Sequence, residues 1–541
     1  MSFSVSISYP PLHKNSQTAF LSQNRQFQWT NTKNFIFPVI PAYTATLLKS
    51  KGHKVFWDDA IAEKLSYQQW LNRLIKRSPG LIAIETKTPV IKTHWKIIKD
   101  IKKAFSVNKP TVIANSFVGA TLAVARRRGN LSTSGRSHRN QHTPTIVLMG
   151  DHVTALPLES FKNSPVDYIL TGGDYDFMLL NLVEHLTKGT KLSPGFYFRS
   201  NHNLIHRHPE PVEGSPQKQT NTKILNSGKF ALKNHNLDIL PIIDRALTKN
   251  HLYTHNNSNF KYTPGAYIMS GRDCWWGKCT FCSWTTLFPN QSYRTFSPQH
   301  SLKEIQNLIE NYNIKEVFDD SGTIPTGDWL KKFCHGLIDK GFNKKIKLGC
   351  NLRMGALSQK EFNLMKKAGF RFILYGLESA NQKTLDKINK NIKVSDIKET
   401  LVKAKKAGIE NHLTIIIGYP WETEADAQKT LNLARQLFKD GLADSIQATL
   451  LIPYPGTPLF KELKQANKLL TLDWDKYDMS QPVIKSPISS QKQIQLIQSL
   501  FKGVLTPKFL LKKTLSIRSL NDFTHLAKYS LKFLSKLKDF K

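Results

Sequence analysis

Ser270-Gly271-Arg272-Asp273-Cys274-Trp275-Trp276-Gly277-Lys278-Cys279-Thr280-Phe281-Cys282-Ser283-Trp284 holds three of the five cysteines in a 541-residue chain, spaced C-x4-C-x2-C. Three clustered thiolates suit an iron–sulfur cube, which Cys thiolates hold. They leave one iron without a protein ligand, and an open coordination position is the mark of a catalytic metal site. Zinc is the competing reading, with His255 or His300 as a fourth ligand, although neither lies at the short spacing of zinc knuckles and ribbons. A disulfide within the group is disfavoured, because nothing marks the chain as secreted. Trp275, Trp276, Phe281 and Trp284 would surround a cluster with apolar bulk, and solvent access is one lever on its potential.

Outward from this loop the sequence alternates strand and helix. Strands are expected at 266–270, 316–320, 346–353, 370–379, 412–420 and 445–455. Trp329, Leu330, Phe333, Leu337 and Ile338 mark one intervening helix, Ser358 opens another, and a long one runs over 422–438. Lys-Lys-Ala-Gly closes two helices, at Gly369 and Gly408, where glycine supplies the left-handed stop. Six such units imply a partial (β/α)6 TIM-like barrel, whose chemistry collects at the C-terminal strand ends. Those ends carry the cysteines, Asp319-Asp320-Ser321-Gly322, Asn351-Leu352-Arg353, Gly376-Leu377-Glu378-Ser379, Gly418-Tyr419-Pro420 and Pro453-Tyr454-Pro455.

Toward the N-terminus a second alternation places strands at 3–9, 54–58, 81–86, 145–150 and 166–171, with helices at 90–105 and 176–186. This is a doubly wound, Rossmann-like α/β pattern, with a ligand crevice outside the carboxyl ends of its strands. Glu85-Thr86-Lys87-Thr88-Pro89, Gly150-Asp151-His152-Val153-Thr154 and Thr171-Gly172-Gly173-Asp174 stand there. The absence of G-x-G-x-x-G disfavours a nicotinamide dinucleotide. Residues 118–142 and 203–223 lack hydrophobic periodicity and read as disordered insertions. The expected division is 1–192, a linker at 193–260, a core at 261–465 and a helical, basic C-terminal region at 466–541.

Lysine and arginine exceed the acids by 77 − 40 = 37. Much of that charge is spread along helix surfaces, and no RNA-recognition, helix-turn-helix or zinc-finger signature accompanies it, so no specific nucleic acid is implied. The 501–541 tail interleaves Phe509, Leu510, Leu515, Phe523 and Leu526 with lysines. Such a stripe packs on its own domain or lies on a membrane surface. No apolar run has the length of a membrane span, and residues 1–10 alternate like a strand without the basic head of a signal peptide. Open thiolates suit a reducing cytoplasm, so the expected location is cytoplasmic, with peripheral membrane contact through the tail.

The cysteine loop, Phe281, Gly-Leu-Glu-Ser at 376–379, Tyr-Pro-Gly-Thr-Pro-Leu at 454–459 and Gly150 to Pro157 together resemble the radical S-adenosylmethionine (SAM) enzymes with an N-terminal cobalamin-binding domain, over residues 1–465. The resemblance implies that Cys274, Cys279 and Cys282 ligate a 4Fe-4S cluster whose open iron takes the amino and carboxylate groups of SAM. Phe281 flanks that site. Asp319 and Asp320 stand toward the methionine amino group, and Glu378 with Ser379 toward other polar groups of the ligand. Arg353 pairs with the methionine carboxylate or with a barrel carboxylate, Gly418 lets backbone approach the adenosine, and Ile452 or Pro453 packs on adenine. For cobalamin the resemblance implies Thr86, Thr88, Gly150, Asp151, His152, Val153, Thr154, Gly172 and Gly173.

Two departures stand out. Four residues separate the first two cysteines where the family has three, and no Asp-x-His-x-x-Gly supplies an axial histidine to cobalt, His152 being a loop residue that lines the crevice. The implied reaction is reductive cleavage of SAM to a 5′-deoxyadenosyl radical, with methyl transfer to an unactivated carbon. A rearrangement or ring-forming reaction and a non-catalytic, zinc-containing basic binding protein remain as alternatives. The methylthiotransferase branch needs further N-terminal cysteines, and residues 1–273 contain none. The implied partners are a small-molecule or lipid-like substrate and an electron donor of flavodoxin or ferredoxin type. No catalytic side chain is assigned, and Cys334 and Cys350 read as core thiols.

Overall fold

The computed structural model describes residues 2–14, 17–20, 27–30, 35–106, 143–200, 210–211, 223–231, 235–255 and 260–504, with Thr514 and Ile517 beyond. The 118–142 segment, nearly all of 203–223 and the basic tail past 504 therefore lie outside the described residues.

The first sheet contains β1 (Ser4–Tyr9), β2 (Lys54–Asp59), β3 (Leu81–Glu85), β4 (Thr145–Met149), β5 (Tyr168–Leu170), β6 (Phe196–Arg199), β7 (Glu210–Pro211) and β8 (Ile224–Asn226), in the order β7-β8-β6-β5-β4-β3-β1-β2. Leu81-Ile82-Ala83-Ile84 is buried at every position, because helices cover both faces of a parallel strand. β1 to β5 pair in parallel. Their order, 2-1-3-4-5, reverses between β1 and β3, and a ligand crevice opens at such a switch point. The three strands beyond β5 run antiparallel. The stretch expected as a linker thus extends this sheet. Its strands are two to four residues long, too short for periodicity to reveal.

The second sheet is wholly parallel and follows chain order: β9 (Gly265–Ile268), β10 (Glu316–Asp319), β11 (Lys347–Leu352), β12 (Phe370–Glu378), β13 (Glu410–Ile417) and β14 (Ser445–Leu450). All six expected strands are present. The sixth stops at Leu450 rather than 455, before Pro453 and Pro455, which carry no N–H for a ladder. Helices between the strands begin where side chains cap them. Ser358 and Thr423 each form reciprocal capping boxes, with Glu361 and Asp426, so the long helix after Thr423 starts at Glu424 and not 422.

Residues 466–488, expected to be helical, are not. They form one bridge, Leu469 to Ile484, and a single 3-10 turn at Trp474–Lys476, before a helix at Ser490–Val504. This strap runs back across both sheets. Lys14 Nζ meets Asp478 at 2.7 Å, Lys92 pairs with Asp473, Trp474 Nε1 donates to Glu159 at 2.9 Å, and Tyr454 Oη donates to the Tyr477 carbonyl at 3.2 Å.

A buried ion network also joins the sheets. Arg272, two residues before the first cysteine, donates to Asp174 at 3.0 Å and to Asp176 at 2.9 Å, and all three side chains are 0 % exposed. Arg294 forks onto Asp174 through two 2.7 Å bonds, and His235 Nδ1 lies 2.6 Å from the same carboxylate. Burial disfavours the Asp174 carboxylate, but Arg272, His235 and Arg294 outweigh it and hold its pKa below the usual range. Removing one partner from such a network leaves an uncompensated buried charge, at a cost of about 3–5 kcal/mol. Arg272→Met is expected to lower unfolding stability by that amount in urea titration. Lys331→Met, on an exposed helix face, changes it by less than about 0.5 kcal/mol.

Candidate active site

The cysteine loop leaves β9 and folds over the C-terminal end of the second sheet. Cys274, Cys279 and Cys282 form no disulfide and are half-buried, and all three line one cavity. Gly322, after β10, permits this packing: a Cβ there would lie 2.9 Å from Cys274 Cβ and 2.7 Å from the Asp273 carbonyl. The loop is pinned by Thr280 N donating to the Ile388 carbonyl at 3.0 Å and by Leu459 N donating to the Thr280 carbonyl at 3.0 Å. Among the described residues no three His, Cys, Asp or Glu side chains are grouped as ligands of a single ion. Thiolates of a cubane bind different irons, so their sulfurs need not converge on one point.

The expected SAM-contacting residues divide. Phe281, Asp320, Arg353, Glu378 and Ile452 line the cavity. Arg353 makes no ion pair with a barrel carboxylate among the described residues. Its guanidinium stacks on Trp276, 4.4 Å from the ring centre, and donates to the Asn391 carbonyl at 2.5 Å. Glu378 pairs with Lys390 at 2.8 Å. Its backbone lies in the left-handed region (φ 63°) at a register shift between β12 and β13, a strained conformation of the kind that clusters at functional sites.

The remaining four do not line this cavity. Asp319 turns into the backbone, accepting from Ser270 N at 3.3 Å and from Ser321 Oγ at 2.5 Å. Ser379 donates to the buried Glu422 at 2.7 Å, with Thr384 donating to the same carboxylate oxygen. Gly418 leaves room for protein: a Cβ there would lie 2.2 Å from Oε1 of Gln493, on the last described helix. Pro453 is absent from the lining, between two residues that belong to it.

Sequence reasoning missed several wall residues. Thr414 and Gln447 are polar positions inside apolar strands, and the two-residue period that turns them inward was the available signal. Lys390 lies in a turn and gave none. Ile36 comes from the first unit, and Met479 (φ 66°) from the strap. The cavity is thus walled by both sheets' territories.

The wall fits a cluster and a polar, partly cationic ligand. Burial pushes the Cys279 thiol pKa up while Lys390 opposes it, so cations stand ready to offset bound thiolates. Thr323 Oγ, buried in the lining, has no partner among the described residues and is available to a ligand.

The nine expected cobalamin-contacting residues come together at the carboxyl ends of β3, β4 and β5, though not as an open loop. Asp151–Ala155 is a helical turn, and His152 is fully buried in it. Its Nδ1 lies 3.2 Å from Thr88 Oγ1, its Nε2 3.0 Å from Glu159, and its ring packs on Trp474. His152 therefore supports the wall rather than lining a crevice. Asp151 faces Lys87 at 3.4 Å, Val153 is core, Thr154 Oγ1 donates to the Gly150 carbonyl at 2.6 Å, and Thr86 Oγ1 lies 2.7 Å from His94 Nδ1. The glycines yield space to protein. A Cβ at Gly150 would meet the Thr86 carbonyl at 2.1 Å, at Gly172 the Phe230 ring at 2.4 Å, and at Gly173 the Phe288 ring at 2.3 Å.

At the switch point Tyr9 Oη donates to Glu85 Oε2 at 2.6 Å, while Glu85 Oε1 and His94 Nε2 are buried with no partner among the described residues. Burial raises the Glu85 pKa to about 7, against the pull of Lys87 and Tyr9. The folded state therefore holds a proton that the unfolded chain has lost, and stability falls as pH rises between the unfolded value and about 7. Glu85→Gln is expected to flatten that fall, leaving the variant more stable than the parent above pH 7 by on the order of 3 kcal/mol in urea titrations across pH.

Comparison with known proteins agrees with this geometry. Residues 268–434 match the Radical SAM superfamily. A protein of Pyrococcus horikoshii named as an uncharacterised methyltransferase is 25% identical over 481 residues, 88% of this chain and 89% of that one. The anaerobic magnesium-protoporphyrin IX monomethyl ester cyclase of Rubrivivax gelatinosus is 23% identical over 460 residues, 83% of this chain and 70% of the relative. The cobalamin-dependent S-adenosylmethionine radical enzyme OxsB, solved with aqua-cobalamin and S-adenosylmethionine, superposes with a TM-score of 0.65 at 14% identity, covering 98% of this chain and 72% of that one. The chain carries a radical SAM domain, which implies a 4Fe-4S cluster and SAM as its cofactors.

Proposed function

We propose that this protein is a cobalamin-dependent radical SAM C-methyltransferase that acts on an unactivated carbon of a small or lipid-like molecule. The observation that carries the reading is the shared cavity, lined together by three cysteines outside any disulfide, by strand-end residues of the second sheet, and by Ile36, Tyr454 and Met479. In this reading Cys274, Cys279 and Cys282 hold the cluster, and Asp320, Glu378 and Arg353 bind and orient SAM beside it. The cluster supplies the electron that cleaves the sulfonium. The chain's own residues enclose that event and keep water from it.

The second sheet then serves as a partial barrel, residues 261–465, and the parallel strands β1 to β5 of the first as the core of a cobalamin-binding-type domain, residues 1–192. Support for cobalamin is the switch point, where Glu85 Oε1 and His94 Nε2 offer unpartnered polar atoms to a ligand rich in amides. Those atoms, rather than the filled glycine turns, are the better fit. An electron donor of flavodoxin or ferredoxin type completes the reaction. Among the described residues no helix is long and apolar enough to cross a membrane.

The relationship to a ring-forming cyclase favours one second reading, in which the radical serves cyclisation. Both readings require SAM cleavage. Anaerobic reconstitution with iron, sulfide, SAM and dithionite is expected to give 5′-deoxyadenosine, detected by mass spectrometry. A Cys274→Ala/Cys279→Ala/Cys282→Ala variant loses iron, the absorption near 400 nm and the product together. Methyl transfer from labelled SAM to an organic product separates the methyltransferase from the cyclase.

A further inference from the structure

Residues Ile388–Asn391 connect two helices, 382–387 and 394–406, and lie against the cysteine loop. Three of their four carbonyls accept from it or from its brace. Ile388 O takes Thr280 N–H at 3.0 Å, Asn389 O takes the Trp276 indole N–H at 2.7 Å, and Asn391 O takes Arg353 Nη2 at 2.5 Å. Asn389 (φ 53°) and Asn391 (φ 51°) are both left-handed, a conformation asparagine enters more readily than most residues. Between them Lys390 enters the cavity and meets Glu378 at 2.8 Å. The pair occupies space that a side chain at position 376 would need, since a Cβ on Gly376 would lie 2.2 Å from Glu378 Oε1 and 2.6 Å from Lys390 Nζ. Lys390 shares the lining of that cavity with Cys274, Cys279 and Cys282.

Trp276 is one of the four residues between Cys274 and Cys279, and it is the one gripped. It lies between the Asn389 carbonyl and the Arg353 guanidinium, which stacks 4.4 Å from its ring centre. A loop of this length is held at its middle as well as its ends.

We propose that Ile388–Asn391 is a clasp that seats the long cysteine loop, and that Lys390, delivered by it, is a positioning cation that makes the cluster easier to reduce. This rests on the 4Fe-4S reading above. Reduction adds one electron and one negative charge to the cluster without forming a bond. A fixed ammonium in a poorly solvated cavity stabilises the more negative state, and charge and burial are among the levers that set cluster potentials.

The test is an anaerobic redox titration of the reconstituted full-length protein with dithionite and mediators, read by the electron paramagnetic resonance signal of the reduced cluster. Lys390→Met is expected to lower the reduced-to-oxidised ratio at a fixed potential by about tenfold, equal to about 59 mV for one electron, and Lys390→Arg to restore it. Trp276→Phe, which removes the clasped N–H together with part of the ring that Arg353 stacks on, is expected to release iron to a chelator about tenfold faster. A fully loaded Lys390→Met variant with an unmoved potential but weakened SAM binding would assign Lys390 to the ligand and overturn the proposal. Unchanged iron release in Trp276→Phe would overturn the clasp. Parent protein that takes up no iron and shows no absorption near 400 nm would overturn the cluster reading itself, which a potential shift alone cannot do.

Discussion

A single guanidinium ties the start of the cysteine loop to the helix after β5. Arg272 is fixed by Asp174 and Asp176, which open the helix after β5, and it precedes Cys274 by two residues. A buried ion pair of this kind adds little net stability, because desolvation offsets most of the attraction. It does fix geometry. The planar fork accepts few alternative arrangements, and Arg294 and His235 close the remaining sides of Asp174. One end of the cavity is therefore set in register with the first sheet, although the cysteines belong to the second.

The fold was legible where burial is two-sided. Strands such as Leu81-Ile82-Ala83-Ile84 and Ile415-Ile416-Ile417 are continuous apolar runs, and the helices between them open on capping boxes that can be read letter by letter. What escaped was short or irregular. The antiparallel extension β6 to β8 has no run long enough to show a period, and the strap at 466–488 is held by single contacts from Trp474, Tyr477 and Asp478.

The site was legible in its cysteines and in Asp320, Arg353 and Glu378, because polar residues at strand ends stand out against apolar strands. Glycine misled. A glycine at a strand end signals that something approaches the backbone closely, without saying what. At Gly418 it is Gln493, and at Gly172 and Gly173 it is Phe230 and Phe288. Asp319 and Ser379 misled for a related reason. A polar side chain beside a functional one often holds the loop that carries it, as Asp319 does for Ser270 and Ser321. Lys390 could not be read at all, since only the folded turn brings it to Glu378.

The strap also orders events in time. Lys14 meets Asp478, and Met479 closes the cavity from the same strand of chain. Chains emerge from the ribosome at about 5–20 residues per second and fold N-terminal parts first. The first sheet is complete once residue 226 has appeared, and the second once residue 450 has. The lining of the cavity is completed only when residues 474–479 arrive and dock on surfaces made long before, so the loop that carries the three cysteines is synthesised well ahead of the last residue that lines its site.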